Sequence, residues 1–173
     1  MVSAGKWTPK KGKLVQVSKS ARGMGRIGAC LALASSAAVL SGSTPALAQQ
    51  DGAQFTVALS GQENVNGGDA DGQGSARLDL DPQQGTACYE ITWKKLDGAV
   101  TAFHLHAAHR GTDGPHWIDF FNEQNFDGQQ GKASDCVRST REKIEAVIND
   151  PSAYYLQLHS TAFVGGAIRG QLG

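Results

Sequence analysis

The chain has 173 residues, with 16 basic and 16 acidic side chains, so its formal charge at pH 7 is zero. The first 48 residues hold seven basic residues and no acidic one, which leaves nine basic and 16 acidic residues, a net charge of −7, for residues 49–173. An acidic segment of this kind argues against nucleic-acid binding, because phosphates require a basic surface. Its length suits one ordinary domain and excludes a second core.

Residues 1–48 are predicted to be a secretory signal peptide. The basic region ends at Arg26, a run of small apolar residues follows over 27–40, and Ala46-Leu47-Ala48 provides an Ala-x-Ala cleavage site before Gln49. The apolar run is shorter than the roughly 20 residues that a membrane-spanning helix needs. We therefore expect export, to the periplasm or beyond the cell, with no stable membrane insertion after cleavage. A leader retained as a membrane anchor is the alternative.

Export changes how the cysteines are interpreted. Cys30 is removed with the leader, whereas Cys88 and Cys136 remain. In an oxidising compartment an isolated pair favours a disulfide, and this one would close a loop of about 48 residues. Two buried thiols or a pair of metal thiolates are the alternatives, and no Cys-x-x-Cys spacing supports the thiolates.

After a short tail at 49–53, residues 54–173 have the pattern of a single β-domain. Apolar and polar residues alternate in short runs, which is typical of half-buried strands. Turn-forming pairs such as Asp81-Pro82 and Asp97-Gly98 separate these runs. We predict an all-β fold, mainly an antiparallel sandwich or barrel. The predicted strands are 54–60, 75–80, 86–93, 99–107, 153–160 and 167–172.

One α-helix is predicted at 139–148, where Ser139 or Thr140 serves as the N-cap. Its apolar stripe consists of Ile144, Val147 and Ile148. The segment before the helix, residues 117–135, shows no periodicity and is predicted to be a long loop.

The histidines are the most informative residues of the domain. Four of the five lie within thirteen residues, namely His104, His106, His109 and His116. The first two are two positions apart in a predicted strand, so both rings project from the face opposite Phe103 and Leu105. His159 lies on the polar side of a later strand. Clustered neutral imidazoles are preferred ligands of copper and zinc, whereas exposed histidines without an ion are the alternative.

Four segments of the chain resemble the CHRD (chordin-type) domain family. They include a strand-opening Leu-x-Gly-Gln-Glu, a His-x-His strand and a terminal Ile-Arg-Gly-Gln-Leu, and they are spread over about 55–173, nearly all of the mature chain. The chain has Asn64-Val65 where the family usually has Val-Pro, and Ala167 where it often has Glu. By itself the resemblance implies only a structural or protein-interaction module. The segments are Ala58–Val65, Ala102–His106, Tyr155–Ser160 and Gly166–Leu172.

A second resemblance is to the copper site of copper/zinc superoxide dismutases. His104-Leu105-His106 and Gly114-Pro115-His116 look like the copper-binding strand and the Gly-Pro-His loop of those enzymes. A zinc half-site would need two further histidines and an Asp, and only His109 remains. Arg169 lies within the last strand and does not match their active-site arginine. The likeness implies a superoxide-dismutase-like fold with a copper site made of His104, His106, His116 and His159.

The leading prediction is an exported protein that binds a transition metal, with copper favoured over zinc. The ligands are His104, His106 and His159, with His116 as a conditional fourth ligand. Binding is expected to weaken as the imidazoles protonate near their ordinary pKa of about 6.5. A superoxide-dismutase-like copper enzyme and a metal-free interaction module are the alternatives, and no catalytic residue is assigned.

Overall fold

The computed structural model describes residues 50–173. The predicted signal peptide at 1–48, its cleavage site and Cys30 lie outside the described residues. No helix within 50–173 has both the length and the apolar character that crossing a membrane requires. The elements are β1 (Ala53–Ser60), β2 (Gln73–Asp81), β3 (Thr86–Lys94), β4 (Val100–Ala107), β5 (His116–Phe121), β6 (Gly131–Arg138), α1 (Arg141–Asn149), β7 (Tyr154–Ser160) and β8 (Ile168–Gln171).

The eight strands form a mostly antiparallel, nearly closed barrel or sandwich, as predicted. Their order is β5-β4-β7-β8-β1-β2-β3-β6, so β5 and β6 are the outermost strands of the sheet. The hairpins β1–β2 and β2–β3 join neighbours in sequence, whereas β4 pairs with β7 across a long stretch of chain. This long-range pair carries His104 and His106 on β4 and His159 on β7.

The core forms where the alternating apolar residues of the strands meet. Leu78 and Ile91 are fully buried from β2 and β3, and Phe103 and Leu105 are fully buried from β4. Burying a side chain of this size contributes about 1.5–3 kcal/mol. The strands that the alternation predicts are therefore confirmed, with ends that differ by one or two residues.

The prediction of a long loop at 117–135 is wrong, because most of β5 and the first half of β6 lie in this segment. β5 holds adjacent aromatic residues, Phe120 and Phe121, which hide its alternation. β6 has no fully buried residue, and only its Ala133 and Val137 side chains pack against the core. It is held by a continuous register with β3 from Thr86↔Arg138 to Trp93↔Gly131. A strand held mainly by backbone pairing leaves little hydrophobic signal.

The helix α1 is confirmed, and Thr140 is its N-cap. The backbone N–H of Lys143 donates to Oγ1 of Thr140 at 3.3 Å, which satisfies one of the free donors of the first turn. Ile144 and Val147 are fully buried, and Ile148 packs against the core.

The disulfide between Cys88 and Cys136 is also confirmed. The two residues are directly opposite each other on β3 and β6, with Cα atoms 3.9 Å apart. The bond ties the outermost strand to its neighbour, and it closes a 48-residue separation. In the chain-entropy model this contributes about 3–4 kcal/mol.

Candidate metal centre

β4 presents His104 and His106 on the face opposite its core residues. Both imidazoles are nevertheless buried, with 3% and 5% of their surface exposed. The chain after β4 folds back over them, since Asn122 and Gly114 bond to the two rings. The alternative of solvent-exposed histidines is therefore wrong for this pair.

β7 brings His159 to the same place. The strand runs antiparallel to β4 with His159 opposite Ala102 and Gln157 opposite His104. His159 is therefore the diagonal neighbour of His104, and their ring centroids are 5.0 Å apart. It is 9% exposed, and its ring centroid lies 6.0 Å from that of His106.

Each of the three rings donates one hydrogen bond to an oxygen. Nδ1 of His106 bonds to the carbonyl of Gly114 at 2.9 Å, and Nδ1 of His159 bonds to the carbonyl of Val164 at 2.9 Å. Nε2 of His104 bonds to Oδ1 of Asn122 at 2.5 Å. An oxygen of this kind only accepts, so the ring nitrogen that faces it carries the proton. In a neutral imidazole the other nitrogen then holds a lone pair.

Those other nitrogens have no partner. Five side-chain nitrogens within residues 50–173 are buried without a hydrogen bond, and three of them are Nδ1 of His104, Nε2 of His106 and Nε2 of His159. One ring nitrogen from each of these histidines lies within 4.8 Å of the others. Buried polar atoms without a partner are rare and call for an explanation. The unpartnered nitrogens and the group of closely spaced rings therefore belong to the same three histidines.

Two glycines allow close packing in the loops that contact the rings. A Cβ at Gly114 would lie 2.0 Å from the carbonyl oxygen of Ala107, so only glycine lets this loop lie against the end of β4. At Gly166 the backbone has φ +122° and a Cβ would lie 2.0 Å from Nε2 of Gln157. Each of these two loops therefore holds one position that has no room for a side chain.

Burial keeps the imidazoles neutral. It lowers the pKa of His104 and of His106 from 6.5 to about 4, and it also lowers the pKa of His159. Desolvation is the main cause, because a charged ring loses more hydration than a neutral one. His104 and His106 are therefore protonated at a lower pH than an ordinary histidine, whose pKa is about 6.5.

His116 occupies a more open position beside the three rings. Its ring centroid lies 3.9 Å from that of His104 and 4.7 Å from that of His106. Nδ1 of His116 lies 3.0 Å from Oδ1 of Asp119, and the two form a second group of potential ligand atoms with His104. Because half of the His116 side chain is exposed, its role as a fourth ligand stays a prediction.

The sequence patterns missed the acceptors of this site. Asn122 and Asp119 lie in the segment that was expected to be a loop, and the carbonyls of Gly114 and Val164 belong to the backbone. A backbone carbonyl has no residue-type signature, although the Gly114 position itself is a signal of close approach. His109 is exposed and bonds instead to the carbonyl of Ser152.

Comparison with known proteins agrees with the sequence motifs. No curated protein and no solved structure is significantly similar to this chain. The model of one family, described as CHRD domain, matches residues 55–172. This range includes all eight strands apart from the first two residues of β1, and it holds all four clustered histidines and His159. The chain belongs to the CHRD-domain family.

Proposed function

We propose that this domain binds a transition-metal ion, with copper as the metal, through His104, His106 and His159. The observation that carries the proposal is the set of three buried ring nitrogens that lack a partner, one from each residue. In each ring the opposite nitrogen donates to an oxygen. Such outer hydrogen bonds are usual for histidine ligands, because they orient the ring and raise its basicity.

The chemistry of the donor set favours copper. Imidazole nitrogen suits copper and zinc, and among divalent ions the affinity of a nitrogen site is highest for copper. The net charge of −7 on residues 49–173 attracts cations toward the domain. A lone pair held on a neutral ring can bind an ion without first losing a proton, and burial keeps these rings neutral.

His116 is the proposed fourth ligand. Asp119 accepts from Nδ1 of His116, which leaves the lone pair of that ring on Nε2. Because half of the His116 side chain is exposed, we expect it to close over an ion after the three buried nitrogens have bound that ion.

The experiment compares copper and zinc affinities of the full chain with those of variants, by competition against a chelator of known affinity. His104→Ala combined with His106→Ala should weaken copper binding by more than about 100-fold, since even the loss of an outer partner costs about 10–100-fold. His116→Ala should weaken it by a smaller factor. His109→Ala is the matched control, because this exposed histidine lies outside both ligand groups. Equal copper affinity in the wild type and the double variant would falsify the proposal.

We also propose that the chain works outside the cytoplasm, after cleavage at Ala48. The Ala-x-Ala site and the disulfide between Cys88 and Cys136 support this, because disulfides persist in oxidising compartments. The check is intact-mass spectrometry of the protein recovered from the cell envelope or medium. We expect a chain that begins at Gln49, and a chain that still carries its basic leader would contradict export by cleavage.

A further inference from the structure

Arg169 is the largest charged side chain buried in the described part of the molecule. It belongs to β8 and is 1% exposed. A guanidinium removed from water needs acceptors for its donors, and this one has four. They are the carbonyls of His109 (3.1 Å) and Thr112 (2.9 Å), Oδ1 of Asp113 (3.5 Å) and Oε1 of Gln171 (3.3 Å).

Two of these contacts hold the backbone of the loop between β4 and β5. Arg169 bonds to carbonyls on either side of the loop's bend, and Gly114 follows two residues after Thr112. The carbonyl of Gly114 is the acceptor for Nδ1 of His106. Arg169 therefore contacts the loop that carries this acceptor, although its own strand, β8, does not pair with β4.

Tyr155 provides a second connection between Arg169 and His106. β7 lies between β4 and β8, so Tyr155 stands between His106 and Arg169. The guanidinium carbon of Arg169 lies 3.4 Å from the centre of the Tyr155 ring. That ring stacks on His106 with centroids 4.8 Å apart and planes 11° from parallel. Its hydroxyl accepts the N–H of Gly114 at 3.2 Å.

We propose that Arg169 is a positioning residue for His106. Through the loop carbonyls and through Tyr155, it holds the carbonyl of Gly114 where Nδ1 of His106 donates to it, and so it keeps the lone pair on Nε2. The expected effect on copper affinity rests on the proposed metal-binding function, because Nε2 of His106 is one of the three unpartnered nitrogens. The orientation of the ring itself is a property of the metal-free protein.

The test uses Arg169→Lys in the full chain. Lysine keeps the positive charge but lacks the planar fork that reaches two carbonyls at once. In the metal-free wild type, the ring ¹⁵N shifts of His106 should report a single Nδ1–H form. In the variant we expect a mixture of the two neutral forms at His106, an unchanged Nδ1–H form at His159, and copper affinity reduced about tenfold.

Tyr155→Phe tests the second path, since it removes only the hydroxyl that accepts from Gly114 and leaves the stacked ring in place. Arg77→Lys is the matched control, because Arg77 is an exposed arginine paired with Asp79 on β2. The proposal is overturned if His106 keeps the single Nδ1–H form in both Arg169→Lys and Tyr155→Phe. If the wild type binds no copper, the proposed function fails, and the ring shifts still decide the role of Arg169.

Discussion

Two faces of the same sheet are built from similar sequence patterns and end in different environments. The open face consists of residues of β2 and β3 that point away from the core, namely Ser75, Arg77, Glu90 and Thr92, all of them exposed. The covered face consists of the corresponding residues of β4 and β7, namely His104, His106, Gln157 and His159, all of them buried. In the strands of both faces, these polar residues alternate with apolar residues.

The two faces differ in exposure because of the loops that follow their strands, and not because of the strands themselves. β2 and β3 are joined by a tight turn, which leaves their outer face in water. β4 and β7 are each followed by a longer loop, and the two loops supply the carbonyls of Gly114 and Val164 that meet the histidine rings. A polar residue under a loop must find a partner in the protein or remain unpaired. Three of the five unpaired buried nitrogens within residues 50–173 therefore lie on the covered face.

The difference in burial between the two faces is expected to have its largest effect on the free energy of unfolding at acid pH. The pKa of His104 and of His106 is about 4 in the folded chain and about 6.5 in the unfolded chain. Well above pH 6.5 both the folded and the unfolded chain hold neutral rings, and these histidines do not change the stability. As the pH falls from 6.5 toward 4, the unfolded chain takes up protons first, so the free energy of unfolding decreases. At pH 5 the decrease is about 2 kcal/mol for each histidine.

Urea unfolding of the metal-free chain at pH 7 and pH 5 measures this decrease. Asn122 and Asp119 face the His104 ring and raise its pKa, but burial lowers this pKa by more. The expected decrease in stability already includes these contributions. His104→Leu combined with His106→Leu is the control, because it retains every carboxylate. The variant should lose much less stability between the two pH values than the wild type does. Equal losses would show that the covered histidines are not the cause.

The fold could be predicted from the sequence wherever side-chain burial shapes the strand. Alternation predicted β1, β2 and β3 because each buries one regular row of apolar residues. β6 escaped detection, because its register with β3 is made by backbone pairing, and a strand of that kind leaves little trace in residue types. The disulfide partner Cys136 lies on this same strand, so the pair of cysteines was found without the strand that carries one of them.

The site could be predicted only in part, for a related reason. The spacing of His104 and His106 indicated a shared face, and this is a local property of a strand. Their meeting with His159 depends on the register of β4 with β7, which local alternation does not determine. Whether the shared face is open or covered depends on where distant loops lie. The residues of the candidate site were therefore accessible from the sequence, and their burial was not.

A smaller effect tests whether the cover itself stabilises the fold. Gln157 lies on the covered face, 3% exposed, and its Nε2 donates to Oδ1 of Asn64 and to the carbonyl of Gly165 at 3.3 Å. Gln157→Ala removes both bonds and leaves a space beneath the loop, so we expect a loss of about 2 kcal/mol in the free energy of unfolding. Denaturant unfolding at pH 7 measures it.

Thr92→Ala is the matched substitution on the open face. Thr92 is exposed, and its hydroxyl donates to the carbonyl of Ser75 at 3.3 Å, so water replaces the lost bond and the change should stay within about 0.5 kcal/mol. A ratio of about four between the two losses would mean that the loop over the histidines is packed as part of the folded core. Losses of equal size would mean that the loop only screens the rings from water, and the neutral form of His104 and His106 would then depend on a cover that opens easily.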